Sequence, residues 1–153
     1  MAIAVDAMGG DSPLAVQIEA AVRAIRDFAI EVVLVGSEGQ IRKTLKQYTY
    51  DQHKLRIVNS TEIVEMNESP AQALRQKRNS SIRVAVDLVK AGEAEAIVSA
   101  GNTGASMAIA KFVFKSIEGI ERPAIAALMP SVHSNHPFVL LDIGANTDCK
   151  PLY

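Results

Sequence analysis

The chain contains no tryptophan, a single cysteine at Cys149, and only three tyrosines and four phenylalanines. One cysteine excludes an internal disulfide and fits a reducing compartment. So few aromatic rings leave little from which to build a stacking platform for nucleic-acid bases. An excess of either charge is also missing: 16 basic and 17 acidic side chains leave a net charge of −1, against a nucleic-acid binder driven by a basic face. No apolar run approaches the ~18 residues needed to cross a bilayer. The opening stretch MAIAVDAMGG has no basic segment ahead of its apolar residues, so it does not read as a signal peptide. These absences predict a cytoplasmic protein that takes no nucleic acid. What is present is ample apolar material, 48% of 153 residues, enough for a real core, and the length predicts one α/β domain over 1–153.

Ala2–Asp6 reads as a short buried strand, and Pro13 as the first residue of a helix capped by Ser12 or Asp11, with Leu14, Ile18, Val22, Ile25 and Phe28 forming its apolar stripe. Ile30–Val35 and Leu55–Val58 are further strands, separated by a polar helix over Glu38–Gln47. Ile63, Val64 and Met66 are apolar without a clean period. Ser69-Pro70 looks like a helix start, and a second helix carries Ile82, Val86 and Val89 before Ala91-Gly92 ends it. Ala96–Ala110, AIVSAGNTGASMAIA, reads as strand, small-residue turn and helix, with Thr103, Met107, Ala110 and Phe114 at helical spacing. Ala124–Met129 and Phe138–Asp142 complete the set of strands. Strands alternating with helices indicate a mainly parallel sheet, which binds ligands at the carboxyl ends of its strands. The loops after Asp6, Val35, Val98 and Asp142 are expected at that rim.

Four stretches have the residue types for chemistry there. In DAMGGDSP, Gly9 and Gly10 lie between the carboxylates of Asp6 and Asp11 just before a helix, as a backbone cradle with acids at its rim or a plain turn would. This is not the G-x-G-x-x-G fingerprint, and Gly36-Ser37 stands where a ribose-binding acid is expected. In SAGNTGA, Ser99 to Gly104 let a ligand approach the backbone, and the following helix aims N–H groups at it, which suits phosphate. Asn102 or Thr103 serves either as a helix cap or as a ligand contact. LDIGANTDCKP brings Asn146, Asp148 and Lys150 to a strand end, and Arg75, Lys77 and Arg78 form a basic stretch, either a solvated face or an anion contact. Cys149 reads as a small structural residue rather than a nucleophile, and His133 with His136 lacks a third ligand for a metal.

AVDAMGGD at Ala4–Asp11, KRNSSIRVAVDLVKAGEAEAIVSAGNTGA at Lys77–Ala105, ERPAIA at Glu121–Ala126 and LLDIGANTDCKP at Leu140–Pro151 together resemble the phosphate acyltransferases of bacterial phospholipid synthesis. The resemblance runs nearly the whole chain in order. It implies a Rossmann-like three-layer α/β/α sandwich. Members of that family are about twice this length, so the chain resembles their N-terminal half, and a truncated fold is expected.

The resemblance further implies a reaction in which inorganic phosphate attacks the thioester of an acyl-acyl carrier protein, giving acyl phosphate and the carrier thiol. No cofactor and no metal take part, and the full-length enzyme is expected to be a homodimer with peripheral membrane contact. On this reading Gly9, Gly10, Ser99, Gly101, Thr103 and Gly104 hold phosphate, with Lys77 and Lys150 as counter-charges. Asn102 or Asn146 stabilises the oxyanion, and Asp6 or Asp11 orients phosphate through its protons. Two alternatives stand beside it: a nucleotide- or CoA-binding module of the same fold, and an inactive half-fold with an open sheet edge.

Overall fold

The computed structural model describes residues 1–120, 123–132 and 136–143. The chain divides into two compact units, Met1–Phe114 and Lys115–Tyr153, where the length predicts one domain.

The first unit is built on a four-stranded sheet in the order β3-β2-β1-β4, with every neighbouring pair parallel. The strands are β1 (Ala2–Asp6), β2 (Glu31–Gly36), β3 (Leu55–Asn59) and β4 (Ala96–Val98). β2 is central, and its run Val32–Val35 is buried throughout, as expected of a parallel strand covered on both faces. Its side chains alternate between two cores. Val32 and Leu34 pack with Ile18, Ala21 and Ile25 of α1 (Leu14–Phe28) and Ile41 of α2 (Glu38–Leu45). Val33 and Val35 pack with Ala85 and Leu88 of α4 (Ser81–Lys90). A third cluster joins Ile82 and Val86 of α4 to Ala73 of α3 (Pro70–Gln76) and to Ala105 and Ile109 of α5 (Thr103–Phe114). Each fully buried aliphatic side chain contributes about 1.5–3 kcal/mol. The result has the parallel sheet that the strand–helix alternation predicts and the Rossmann-like α/β/α layering that the resemblance implies.

Several local expectations shift. Pro13 is the N-cap of α1, with an extended ψ of 148°, and neither Asp11 nor Ser12 caps the helix. Phe28, expected to close the apolar stripe, is 75% exposed, because the chain leaves the helix through Ala29 in the left-handed region at φ 55°. In α5 the buried pair is Ala105 and Ile109, not the face through Thr103, Met107, Ala110 and Phe114. That helix is apolar on most sides, so spacing alone does not choose which side meets α4.

In the second unit, β5 (Ala126–Met129) and β6 (Phe138–Leu141) pair antiparallel as a separate two-stranded ribbon. The stretch Phe138–Asp142 is therefore not a strand of the four-stranded parallel sheet, and the loop expected after it lies, beyond Ile143, outside the described residues. The strand stops at Leu141 because Asp142 turns to φ 57°. No described helix is long and apolar enough to cross a membrane.

Candidate functional site

β1 and β4 are adjacent and parallel, so the turns that follow them emerge side by side at the carboxyl end of the sheet. Asp6, the last residue of β1, is buried between them at 3% exposure. Its Oδ1 accepts the backbone N–H groups of Met8 at 3.1 Å and Gly9 at 3.0 Å. Its Oδ2 accepts the Ser99 hydroxyl at 2.8 Å, and the same hydroxyl oxygen accepts the N–H of Gly101 at 3.0 Å. A buried carboxylate is tolerated only when its lone pairs are met, and hydrogen bonds to a charged acceptor contribute about 1.5–3 kcal/mol each. Every donor in this network points inward. The N–H groups of Gly9 and Gly101, expected to face a ligand, are directed at Asp6 and Ser99.

The glycines are explained by the closeness of the two turns. A Cβ on Gly9 would stand 2.4 Å from Asp6 Oδ2 and 3.0 Å from Gly101 Cα. Gly10 has φ +94°, and a Cβ there would stand 2.7 Å from the Ala100 carbonyl oxygen. Only residues without a side chain let the turns interlock at this distance.

Asn102 is the N-terminal cap of α5: its Oδ1 accepts the Ala105 N–H at 2.9 Å. Its Nδ2 lies within hydrogen-bond reach of three carbonyl oxygens, those of Glu65 at 3.1 Å, Met66 at 3.1 Å and Glu68 at 2.9 Å. Two amide hydrogens facing three acceptors leave none for an oxyanion in this geometry. The side chain instead clamps the 61–69 connection against α5. Gly104 lets α5 approach the start of α3 just beyond that connection, since a Cβ on it would stand 2.8 Å from Pro70 Cγ.

Lys77 ties the same connection from its other side. Its ammonium donates to the Ile63 carbonyl and pairs with the Glu68 carboxylate. That hydrogen bond holds the Glu68 carboxyl below its usual value. Lys77 is thus committed within the loop, while Arg75 and Arg78 are exposed on the surface.

Between the β1–α1 turn and this clamped connection lies a groove of about 270 Å³, walled by Met8, Gly10 and Asp11 on one side and by Ile63, Glu65 and Met66 on the other. Asp11 is exposed at its rim. The N–H groups of Thr103 and Gly104, in the first turn of α5, have no acceptor within the helix, as in any helix first turn. The residues between 63 and 67 carry no motif. Their one signal was an apolar run of irregular period, Ile63, Val64 and Met66, of which Val64 is buried and Ile63 and Met66 are partly exposed. Asn146, Cys149 and Lys150 lie outside the described residues, as does His133. Among the described residues no group of three or more His, Cys, Asp or Glu side chains is placed to hold a metal. At the end of β2, Gly36 admits Met8, and the next acid, Glu38, pairs with Arg42.

Fold and rim together define a Rossmann-like α/β domain whose two glycine turns interlock at the carboxyl end of a parallel sheet. A phosphotransacetylase from Streptococcus pyogenes has the same fold, with a TM-score of 0.65 at 21% identity over 97% of this chain and 48% of that one. The family model described as fatty acid synthesis protein matches residues 1–153, and the chain belongs to that family. Among its relatives, a phosphate acyltransferase of Geobacter sulfurreducens is 48% identical over all of this chain and 44% of its own length. One from Dictyoglomus thermophilum is also 48% identical, over 45% of its length. The chain therefore spans less than half the length of these relatives.

Proposed function

We propose that the chain forms part of an acyltransferase of fatty acid and phospholipid synthesis that moves an acyl group from an acyl carrier protein thioester to inorganic phosphate. The name of relatives 48% identical over the whole chain carries this reading. The rim supports it physically. Phosphate must be stripped of water and held beside the thioester carbonyl, and the first turn of α5 offers N–H groups and a helix dipole of the right sign.

In the proposed step a phosphate oxygen attacks the carbonyl carbon, the C–S bond breaks, and the carrier thiolate leaves and takes up a proton. The products are acyl phosphate and the free carrier. A thiolate leaves readily, so the main demand is orientation of phosphate and stabilisation of the tetrahedral oxyanion. Thr103 and Gly104 are assigned to phosphate, with Gly10 lining the approach. Asn102 and Lys77 are assigned to holding the groove wall, since their polar atoms are engaged there. The oxyanion donor and the counter-charge fall to Asn146 and Lys150. Asp11, which lines the groove, is assigned to accept a phosphate proton. Homodimerisation and peripheral membrane contact of a longer protein belong to the same proposal.

The test is a chimera in which this chain replaces its matching segment in the Geobacter sulfurreducens relative. Acyl phosphate formed from acyl-acyl carrier protein and phosphate is the expected result. A folded chimera without turnover, beside an active parent, would overturn the assignment.

A further inference from the structure

We infer that Asp6 and Ser99 act as a positioning pair that sets the spacing of the two glycine turns, and so the place of the anion held at the start of α5. The inference rests on the phosphate reading of the rim and adds to it a residue pair that touches no ligand.

Three observations carry it. First, the pair is the polar link between strands β1 and β4 at their carboxyl ends, where backbone pairing stops at Val5 and Val98. Beyond that point no strand pairing joins the turns, and the Ser99 hydroxyl to Asp6 Oδ2 bond at 2.8 Å spans them beside the close packing of Gly9 on Gly101. Second, each member also fixes its own turn: Asp6 binds the N–H groups of Met8 and Gly9, and Ser99 binds that of Gly101. The two turns thus share one chain of donors ending on one carboxylate. Third, Gly101 directly precedes Asn102 and the first turn of α5. A change in the Asp6–Ser99 distance is therefore transmitted to Thr103 and Gly104 through a single cap residue.

The buried carboxylate would itself repel an anion. Three inward donors, the N–H groups of Met8 and Gly9 and the Ser99 hydroxyl, offset that charge. Removing the hydroxyl leaves Asp6 Oδ2 and the Gly101 N–H without these partners and lets the turns relax apart. Misplacement of a reacting group by about 1 Å lowers rates by up to ~10²-fold, so small relaxations are readable.

The experiment uses the whole chain, isotope-labelled for amide spectroscopy, with inorganic phosphate as probe. It compares Ser99→Ala with Ser99→Thr, which keeps the hydroxyl, and with Leu88→Ala, a buried α4 variant that lowers stability from a core cluster containing no residue of either glycine turn. Faster exchange of the Gly101 amide and a rise of about tenfold in phosphate Kd are expected for Ser99→Ala, with Ser99→Thr restoring both. Ser99→Cys, close in size but a much weaker donor, gives a rise in the same direction and supplies the measurement if Ser99→Ala does not fold. A phosphate Kd within about twofold of the parent despite accelerated Gly101 exchange would overturn the pair, and so would an equal loss in Leu88→Ala. Absence of phosphate binding by the parent chain would also overturn it. Phosphate binding that follows these variants, in a chain whose chimera forms no acyl phosphate, would uphold the pair and overturn the acyl-transfer reading alone.

Discussion

Gly9 and Gly101 approach so closely that a methyl carbon built on Gly9 would stand 3.0 Å from the Gly101 Cα. The same carbon would press on the Asp6 carboxylate at 2.4 Å. These contacts are to backbone and to a hydrogen-bonded buried group, neither of which can swing aside.

Gly9→Ala is therefore expected to destabilise the first unit by about 1–3 kcal/mol, the usual cost of overpacking a filled site. Urea unfolding measures it. Gly39→Ala is the control, because a Cβ there meets nothing within 4 Å. Equal midpoints for the two variants would show that the turns are looser than described.

Asn102 performs two separable tasks. Asn102→Asp keeps the acceptor for the Ala105 N–H but loses the donors to Glu65, Met66 and Glu68. Asn102→Ala loses both. The alanine variant should cost about 0.5–2 kcal/mol for the lost cap, while the aspartate one keeps the cap but sets a carboxylate oxygen against three carbonyls and should be the less stable of the two. Both should show faster proteolysis between 61 and 69 than the parent, and limited digestion followed by mass spectrometry reads this directly.

The Glu68–Lys77 pair gives stability a pH dependence of defined sign. Hydrogen bonding to Lys77 lowers the Glu68 pKa below its ordinary 4.5 in the folded state. Folding is thereby favoured above pH 4.5, and the advantage disappears as pH falls through the lowered folded value. Glu68→Gln should be less stable than the parent at neutral pH and indistinguishable from it at the acid end. Thermal unfolding across that range measures the convergence, and a constant gap at all pH values would contradict the pairing.

Ile109 is fully buried between α3, α4 and α5. Ile109→Ala should cost about 2–5 kcal/mol by denaturant unfolding. It should also loosen Val64 and the groove wall beside it, which shares the same cluster. Preserved amide protection at Val64 in this variant would show that the wall is held by Asn102 and Lys77 alone.

Much of the fold was legible in the residue order, because the signals were local. The β-branched run Val32–Val35 is a buried strand in any context. The stripe through Ile18, Val22 and Ile25 specifies one face of α1. Asp6, Gly9, Gly10 and Ser99–Gly104 were legible as turns at strand ends for the same reason. Side-chain direction was not. The N–H of Gly9 turns to Asp6 and that of Gly101 to the Ser99 hydroxyl, and the bond that joins those two side chains spans 93 residues of sequence. Asn102 was legible as a helix cap or a ligand contact; the cap is what forms, and that its amide also meets the carbonyls of a connection without a motif of its own was not legible. Lys77 looked like an available cation until Glu68 reached it.

The order of residues by itself determined the alternation of strand and helix, the parallel sheet and the two glycine turns, since each follows from hydrophobic period and backbone freedom within a few positions. Only the tertiary structure decided that the turns interlock through Asp6 and Ser99, that Phe138–Leu141 pairs antiparallel with Ala126–Met129 instead of joining the sheet, and that the stretch around Glu65 walls the groove. The physical reason is that polar partners are chosen by proximity in space, and a hydrogen bond between distant segments leaves no periodic trace in either.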